Sequence, residues 1–273
     1  MVIQKVLSNT NLSHIFECGQ CFRWNSDADG SYIGVVENEV VRARIADNTF
    51  ILDGTTNEAF WKNYFDLNAD YTEIKNKLNK DKILKKCIEY GYGIRILKQE
   101  PFEAIISFII SANNNIPRIK KIIEALCRLY GQRLEFEGRE YYTFPTAQTL
   151  AKLEISDLAP IRAGFRDKYI IDAARKISSS EVDLQKIHAM STVQARNELM
   201  KIKGVGKKVA DCVLLFGFSR LDVFPQDVWI KRILNDAYSV APTNIDEFSR
   251  NKFGAYGGLA QQYLFYYHRD GQK

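Results

Sequence analysis

The strongest constraint on this chain is a change of hydrophobic period near residue 100. Before it, β-branched runs alternate with turn residues. Tyr32 to Val36 and Val40 to Ile45 flank Asn38, Thr49 to Leu52 follows, and Asp53-Gly54 closes the series. Phe22-Arg23-Trp24 is a further short strand candidate, and the spacing predicts an antiparallel meander. Phe60, Trp61, Tyr64, Phe65 and Leu67 then form a helical stripe that Ile74, Leu78 and Leu84 continue. After the change the pattern is helical. Pro101 suits a first helical position, with Glu103 in the first turn, and Phe102 to Ile110 is apolar enough for a buried helix. Asn113-Asn114-Asn115 interrupts it, and Pro117 opens a second helix carrying Ile119, Ile122, Ile123, Leu126 and Leu129. Leu134 to Phe144 reads as a small hairpin around Glu137-Gly138. Thr146, Ser156 and Ser191 are expected helix caps, Ser191 with Gln194 at capping-box spacing. No repeat or low-complexity linker divides the chain. The expectation is an α+β fold, an antiparallel β lobe attached to a larger helical body, divided as residues 1–95, 96–225 and 226–273.

A length of 273 residues allows one large or two modest cores. No apolar run approaches the roughly 20 residues needed to span a bilayer. The opening Met1-Val2-Ile3-Gln4-Lys5-Val6 lacks a basic leader and an apolar signal core, so the expected location is cytoplasmic, on the nucleoid if the source is bacterial. Five cysteines (Cys18, Cys21, Cys87, Cys127, Cys212) form no regular framework, which suits a reducing compartment. Cys18-Gly19-Gln20-Cys21 has C-x-x-C spacing, but no second pair or nearby histidine completes a zinc set, and nothing after Cys212 could ligate an iron–sulfur cluster. His14, His188 and His268 lack metal-ligand spacing, and neither a nucleophile elbow nor a Walker loop is present. No catalytic metal and no cofactor is expected. The formal charge of +5 mildly favours an anionic partner.

The most informative segment runs from Leu199 to Cys212. A helix capped at Ser191 ends near Lys201, Gly204-Val205-Gly206 turns the chain, and a second helix starts at Lys207. Two glycines allow positive φ, so successive backbone N–H groups can face outward, and with the new helix's N-terminal dipole they can grip a DNA phosphate. Taken alone, such a turn is equally an ordinary connection between two helices. Its chemical setting adds weight. Lys208 and Cys212 lie four residues apart on one helical face, Lys207 shares a face with Asp211, and Phe224-Pro225-Gln226-Asp227-Val228-Trp229 sets a carboxylate at a helix start. Cleaving an N-glycosidic bond calls for a nucleophile at the anomeric carbon and an anion beside the developing positive charge. A lysine amine can supply the first, and an aspartate held ionised by a helix N-terminus the second.

Ile202 to Cys212, followed by Pro225-Gln226-Asp227-Val228, resembles the helix–hairpin–helix/Gly-Pro-Asp DNA glycosylases. The lysine immediately before Val209-Ala210-Asp211 resembles the bifunctional branch, and the nearest pattern is that of the 8-oxoguanine DNA glycosylases of eukaryotic type, which have bacterial members. The resemblance implies a TATA-binding-protein-like β lobe on a helical core, Lys208 as nucleophile and Asp227 as its acidic partner. It also implies a base pocket built from Gly19, whose carbonyl accepts N7–H of the lesion, with Cys212 and Phe265 sandwiching the base and Gln261 on its Watson–Crick edge. Cys18 to Trp24 and Phe253 to Phe265 are the matching stretches.

By the same resemblance, Asn113 of the Asn-Asn-Asn-Ile-Pro-Arg run fills the gap left by the extruded base. Arg118 and Arg166 meet the widowed cytosine, and Phe165 is a stacking wedge where animal enzymes carry tyrosine. Gly204, Gly206, Lys207 and Trp229 face phosphates, with Trp229 standing where animal members have histidine. The hairpin carbonyls of Ile202, Lys203 and Val205 would hold a monovalent cation. Gln226 departs from the apolar residue usual there and is given no role. The implied partner is duplex DNA carrying 8-oxoguanine, chiefly opposite cytosine, bound by a monomer. Two other readings stay open: a non-catalytic duplex-binding protein with the same hairpin, and a glycosylase for alkylated purines.

Overall fold

The computed structural model describes residues 2–7 and 9–271. The N-terminal lobe holds strands β1 (Val2–Val6), β2 (Trp24–Ser26), β3 (Tyr32–Val36), β4 (Glu39–Ala46) and β5 (Thr49–Asp53). They form one antiparallel sheet in the order β1-β5-β4-β3-β2. Short helices α1 (Leu12–Phe16) and α2 (Glu58–Tyr64) pack on it, whereas α3 (Tyr71–Leu78) and α4 (Lys82–Tyr90) bury their apolar residues in the core of the helical body. The meander is therefore present, with three differences from expectation. Strand β1 joins at one edge, only Trp24 of the Phe22-Arg23-Trp24 run pairs in the ladder, and Leu84 belongs to a separate helix from Ile74 and Leu78. One sheet face buries Phe16, Trp24, Phe50, Leu52, Trp61 and Phe65 in an aromatic core. On the other face Ile33, Val35 and Val40 pack against Leu134, Phe136 and Tyr141 of a second sheet, the hairpin β6 (Arg133–Phe136) and β7 (Arg139–Tyr142). Its turn residues Glu137 and Gly138 both have positive φ, the geometry of a two-residue hairpin.

The helical body follows: α5 (Pro101–Ser111), α6 (Ile116–Tyr130), α7 (Ala147–Ala151), α8 (Asp167–Ser178), α9 (Leu184–Ala189), α10 (Thr192–Leu199), α11 (Lys207–Gly217), α12 (Val228–Tyr238), α13 (Ile245–Phe253) and α14 (Gly257–Asp270). Pro101 opens α5, whose residues Phe102 to Ile110 are buried apart from Glu103. Thr146 caps α7 and Ser191 caps α10 with the reciprocal Gln194 contact. Ser156 is not a cap: it lies inside a 3-10 segment, Ile155–Ile161, whose capping box is formed by Glu154 and Asp157. Glu154 holds the N-cap position two residues earlier. Helices α11 and α5 pack closely enough that a Cβ on Gly217 would sit 3.2 Å from Pro101 Cα.

The last helix ties the two parts together. Gln262 Nε2 donates to the Cys18 carbonyl at 2.5 Å, and the Arg269 guanidinium donates to the Glu17 carbonyl. Buried Gln20 adds donations to Ile15 and Arg95 carbonyls, both at 2.8 Å. Among the described residues no helix is long and apolar enough to cross a membrane.

Candidate active site and nucleic-acid interface

Helices α10 and α11 are neighbours joined by the hairpin. Ile202 N–H donates to the Leu199 carbonyl and Val205 N–H to that of Ile202, so the turn is closed by its own backbone. Outside it, Asp172 accepts the Lys203 N–H at 2.8 Å. Gly204 has φ +84, and a Cβ there would lie 2.5 Å from Tyr169 Cγ, so both conformation and space demand glycine. Gly206 differs from the expectation of positive φ. Its φ of −89° and ψ of 179° are extended, and nothing lies within 4 Å of its missing Cβ. It is the N-cap of α11 without a side-chain cap, so the helix start presents backbone donors and the positive dipole end to open space.

Lys208 follows directly, half-buried, with Nζ 5.6 Å from the Phe108 ring centroid. Its side-chain nitrogen lies beside the Cys212 thiol one turn on. Cys212 is buried; burial pushes its thiol pKa up, and Lys208 opposes that while Asp211 and Asp227 add to it. The thiol therefore stays neutral and suits an apolar wall. That Lys208 and Asp227 both act on Cys212 places the two groups at one site although 19 residues separate them in sequence. Asp227 is the N-cap of α12 and accepts the Ile230 N–H at 2.7 Å, which fixes the carboxylate at the positive end of that helix.

The base-pocket candidates gather nearby. Gly19, φ +86, would bring a Cβ to 3.3 Å from both Phe265 Cε1 and Arg269 Nη1. Helices α11 and α14 are in contact where a Gly258 Cβ would meet Leu215 at 2.5 Å. Leu215 lies on the stripe that carries Lys208 and Cys212, and Gly258 on the stripe that carries Gln261 and Phe265. Gln261 is 6% exposed and its amide makes no hydrogen bond to the described residues. A buried amide left open in this way is suited to a polar ligand. Neighbouring Gln262 is spent on the Cys18 carbonyl, holding the Gly19 turn in place. Arg269 was not foreseen by sequence reasoning; its guanidinium lies 5.4 Å from the Phe265 ring centroid, and its buried Nη1 has no partner.

A second group lines the face beside the hairpin. Asn113 is exposed at φ +50 in the turn after α5, while Asn114 donates to the Ile110 carbonyl and Asn115 caps α6. Arg118 is exposed, with a single 3.4 Å contact to the Arg162 carbonyl. Arg166 is 3% exposed and donates to the carbonyls of Ala112, Asn113 and Ala163, so it braces the Asn113 turn. Phe165, 56% exposed, lies over that guanidinium at 4.4 Å. Trp229 is 60% exposed in the first turn of α12, with Arg232 5.5 Å from its ring. Lys207 pairs with Asp246 of α13, and Asp246 also accepts from Gln226 Nε2 at 2.5 Å. The residue that had no role thus has a partner, on a helix 19 residues further along that no motif pointed to. Arg196 pairs with buried Asp211 at 2.6 Å.

A helix–hairpin–helix followed by a capping aspartate, with a lysine beside it, defines a class of DNA-repair proteins. The chain belongs to the HhH-GPD superfamily of base excision DNA repair proteins, whose family profile matches residues 106–254. Residues 2–105 match the profile described as 8-oxoguanine DNA glycosylase, N-terminal domain, which sets the branch within it. A probable N-glycosylase/DNA lyase of Methanothermobacter thermautotrophicus is 35% identical over 74% of this chain and 71% of its own length. The Clostridium acetobutylicum 8-oxoguanine glycosylase/lyase, solved with duplex DNA containing cytosine opposite 8-oxoG, is 41% identical at TM-score 0.94, covering 100% of this chain and 99% of that one. MBOgg1, solved with a low-affinity DNA ligand, is 47% identical at TM-score 0.96, covering 100% and 96%.

Proposed function

We propose that this chain removes 8-oxoguanine from duplex DNA and then cleaves the strand, with Lys208 as nucleophile and Asp227 as the charge-stabilising acid. One observation carries the reading: Lys208 and Asp227 act on the same buried thiol, next to a helix start open to a phosphate. The Lys208 amine attacks C1′ of an extruded nucleotide as the C1′–N9 bond breaks. The bonding pair leaves with the base, which takes up a proton, while Asp227 stabilises positive charge on the sugar. Loss of a proton from nitrogen and opening of the C1′–O4′ bond give an imine. Removal of a C2′ proton then expels the 3′ phosphate, and water releases the lysine.

The pocket assignment follows the same reading. The lesion sits between Cys212 and Phe265, with the Gln261 amide on its Watson–Crick edge and the Gly19 carbonyl accepting N7–H, a hydrogen that guanine lacks. Asn113, Phe165 and Arg118 fill and read the vacated position, with cytosine the favoured opposite base; Arg166 joins them once the Asn113 turn releases it. Gly204, Gly206, Lys207 and Trp229 hold the backbone, and the carbonyls of Ile202, Lys203 and Val205 are the place for a monovalent cation. Three stretches cooperate, residues 1–95, 96–225 and 226–273. The reading is of a monomer acting in the cytoplasm, on the nucleoid if the source is bacterial. The Lys208–Asp227 pair speaks against a purely binding role, which needs neither group.

The test is borohydride trapping and base release on duplexes with 8-oxoguanine or a methylated adenine. Lys208→Gln is expected to abolish both on 8-oxoguanine while retaining lesion binding, and methyladenine to be left intact. An undiminished adduct in that variant would move the nucleophile elsewhere.

A further inference from the structure

We propose that Asp246 is a positioning residue that sets the separation of Lys208 and Asp227 by holding the residue before each of them. The inference rests on Lys208 and Asp227 being the reacting pair. One Asp246 oxygen pairs with Lys207, which immediately precedes Lys208, and the other accepts from Gln226, which immediately precedes Asp227. A single carboxylate in the first turn of α13 therefore clamps the start of α11 to the start of α12.

Stability does not explain the arrangement. Lys207 and Asp246 are 43% and 47% exposed, and an ion pair so exposed contributes little to folding. Geometry does explain it. Chemistry at C1′ needs the amine and the acid on one sugar at once, and a displacement of about 1 Å can cost on the order of a hundredfold in rate. The polar residue between Pro225 and Asp227 also acquires a purpose, since an apolar side chain there could not reach for Asp246.

The clamp has an electrostatic side. Burial works against the charged carboxylate, yet Lys207 and the Gln226 amide together hold Asp246 below the ordinary carboxylate range. Arg196 from α10 also faces it, and Asp211 of α11 lies close enough to feel its charge. Beside Lys208 stand the Cys212 thiol and the Phe108 ring. Asp246 thus compensates the charge of Lys207 at the start of α11.

The experiment is single-turnover base release from an 8-oxoguanine:cytosine duplex, measured from about pH 5 to 9, the span in which a required base titrates into view. Wild type, Asp246→Asn, Gln226→Met and Lys207→Met/Asp246→Asn are compared, with lesion-duplex Kd and Tm followed for each and Lys208→Gln run beside them. Asp246→Asn and Gln226→Met are each expected to slow release about ten- to a hundredfold at every pH, with Tm and Kd nearly unchanged. The double variant should be about as slow as Asp246→Asn alone, because the same clamp is lost in both. Wild-type rates in Asp246→Asn and Gln226→Met, or a loss that tracks Kd and Tm, overturn the clamp. Base release by Lys208→Gln would instead overturn the assignment of the nucleophile.

Discussion

Adding one methyl group to each hairpin glycine should separate folding from DNA binding. At Gly204 the backbone is left-handed, which costs an L-residue about 1–2 kcal/mol. The new Cβ would also stand 2.5 Å from the Tyr169 ring, an overpacking that costs about 1–3 kcal/mol more. Gly204→Ala is therefore expected to lose roughly 2–5 kcal/mol of stability, about 4–10 °C in Tm for a chain of this size. At Gly206 the backbone is extended and the space is empty. Gly206→Ala should leave the fold unharmed, or stabilise it by about 0.4–1 kcal/mol through the unfolded chain. Its methyl, however, occupies the place a phosphate would approach. Losing one charge-assisted hydrogen bond costs about 1.5–3 kcal/mol, roughly ten- to a hundredfold in Kd. Calorimetry and a fluorescence-polarisation titration with lesion duplex at fixed salt measure the two quantities. If Gly206→Ala binds like wild type, or melts as early as Gly204→Ala, the view of this hairpin as a phosphate grip is wrong.

Two more outcomes are expected. Arg118→Ala should barely change Tm, because the side chain is exposed with one long contact, but should weaken the preference for cytosine opposite the lesion by about 1–3 kcal/mol; incision opposite each of the four bases reads this, and an unchanged ratio rejects the assignment. Burial pushes the Asp211 carboxyl up from 3.8 to about 6 despite the Arg196 partner. The folded protein then holds that proton while the unfolded chain has already lost it, so stability should fall as pH rises from about 4 to 6, by up to about 3 kcal/mol. Urea melts across that window should show the slope in wild type and a flatter one in Asp211→Asn.

The parts of the fold open to sequence reading were those governed by local rules. The hairpin strands announced themselves through their turns, and α5 and α10 through Pro101 and the Ser191–Gln194 pair. Edge strand β1 was missed because five residues with one buried side chain carry no clear alternation before their partner β5 is known. Strand β3 is buried along its whole length, since the β6–β7 hairpin covers its second face, a tertiary fact without a local signature. Ser156 shows the converse: a good capping residue loses to Glu154 when the chain enters a 3-10 turn. At the candidate site, Lys208, Cys212 and Asp227 could be proposed from sequence because the chemistry fixes residue type and spacing together. Asp246, Gln262 and Arg269 were not, because each acts on a partner distant in sequence, and an acid in a first helical turn or a glutamine beside a glutamine is commonplace. Arg166 was expected at the widowed cytosine, and its place as the buried brace of the Asn113 turn had no local signature.

The bond from Gln262 to the Cys18 carbonyl spans 244 positions of the chain. That strut can form only after residue 262 has left the ribosome, whereas the hairpin and its lysine have their local partners much earlier. On the proposed reading, nascent protein would own a grip and an amine ahead of the closed pocket that chooses a nucleobase, and a chain clipped before Gln262 should be left holding DNA it cannot inspect.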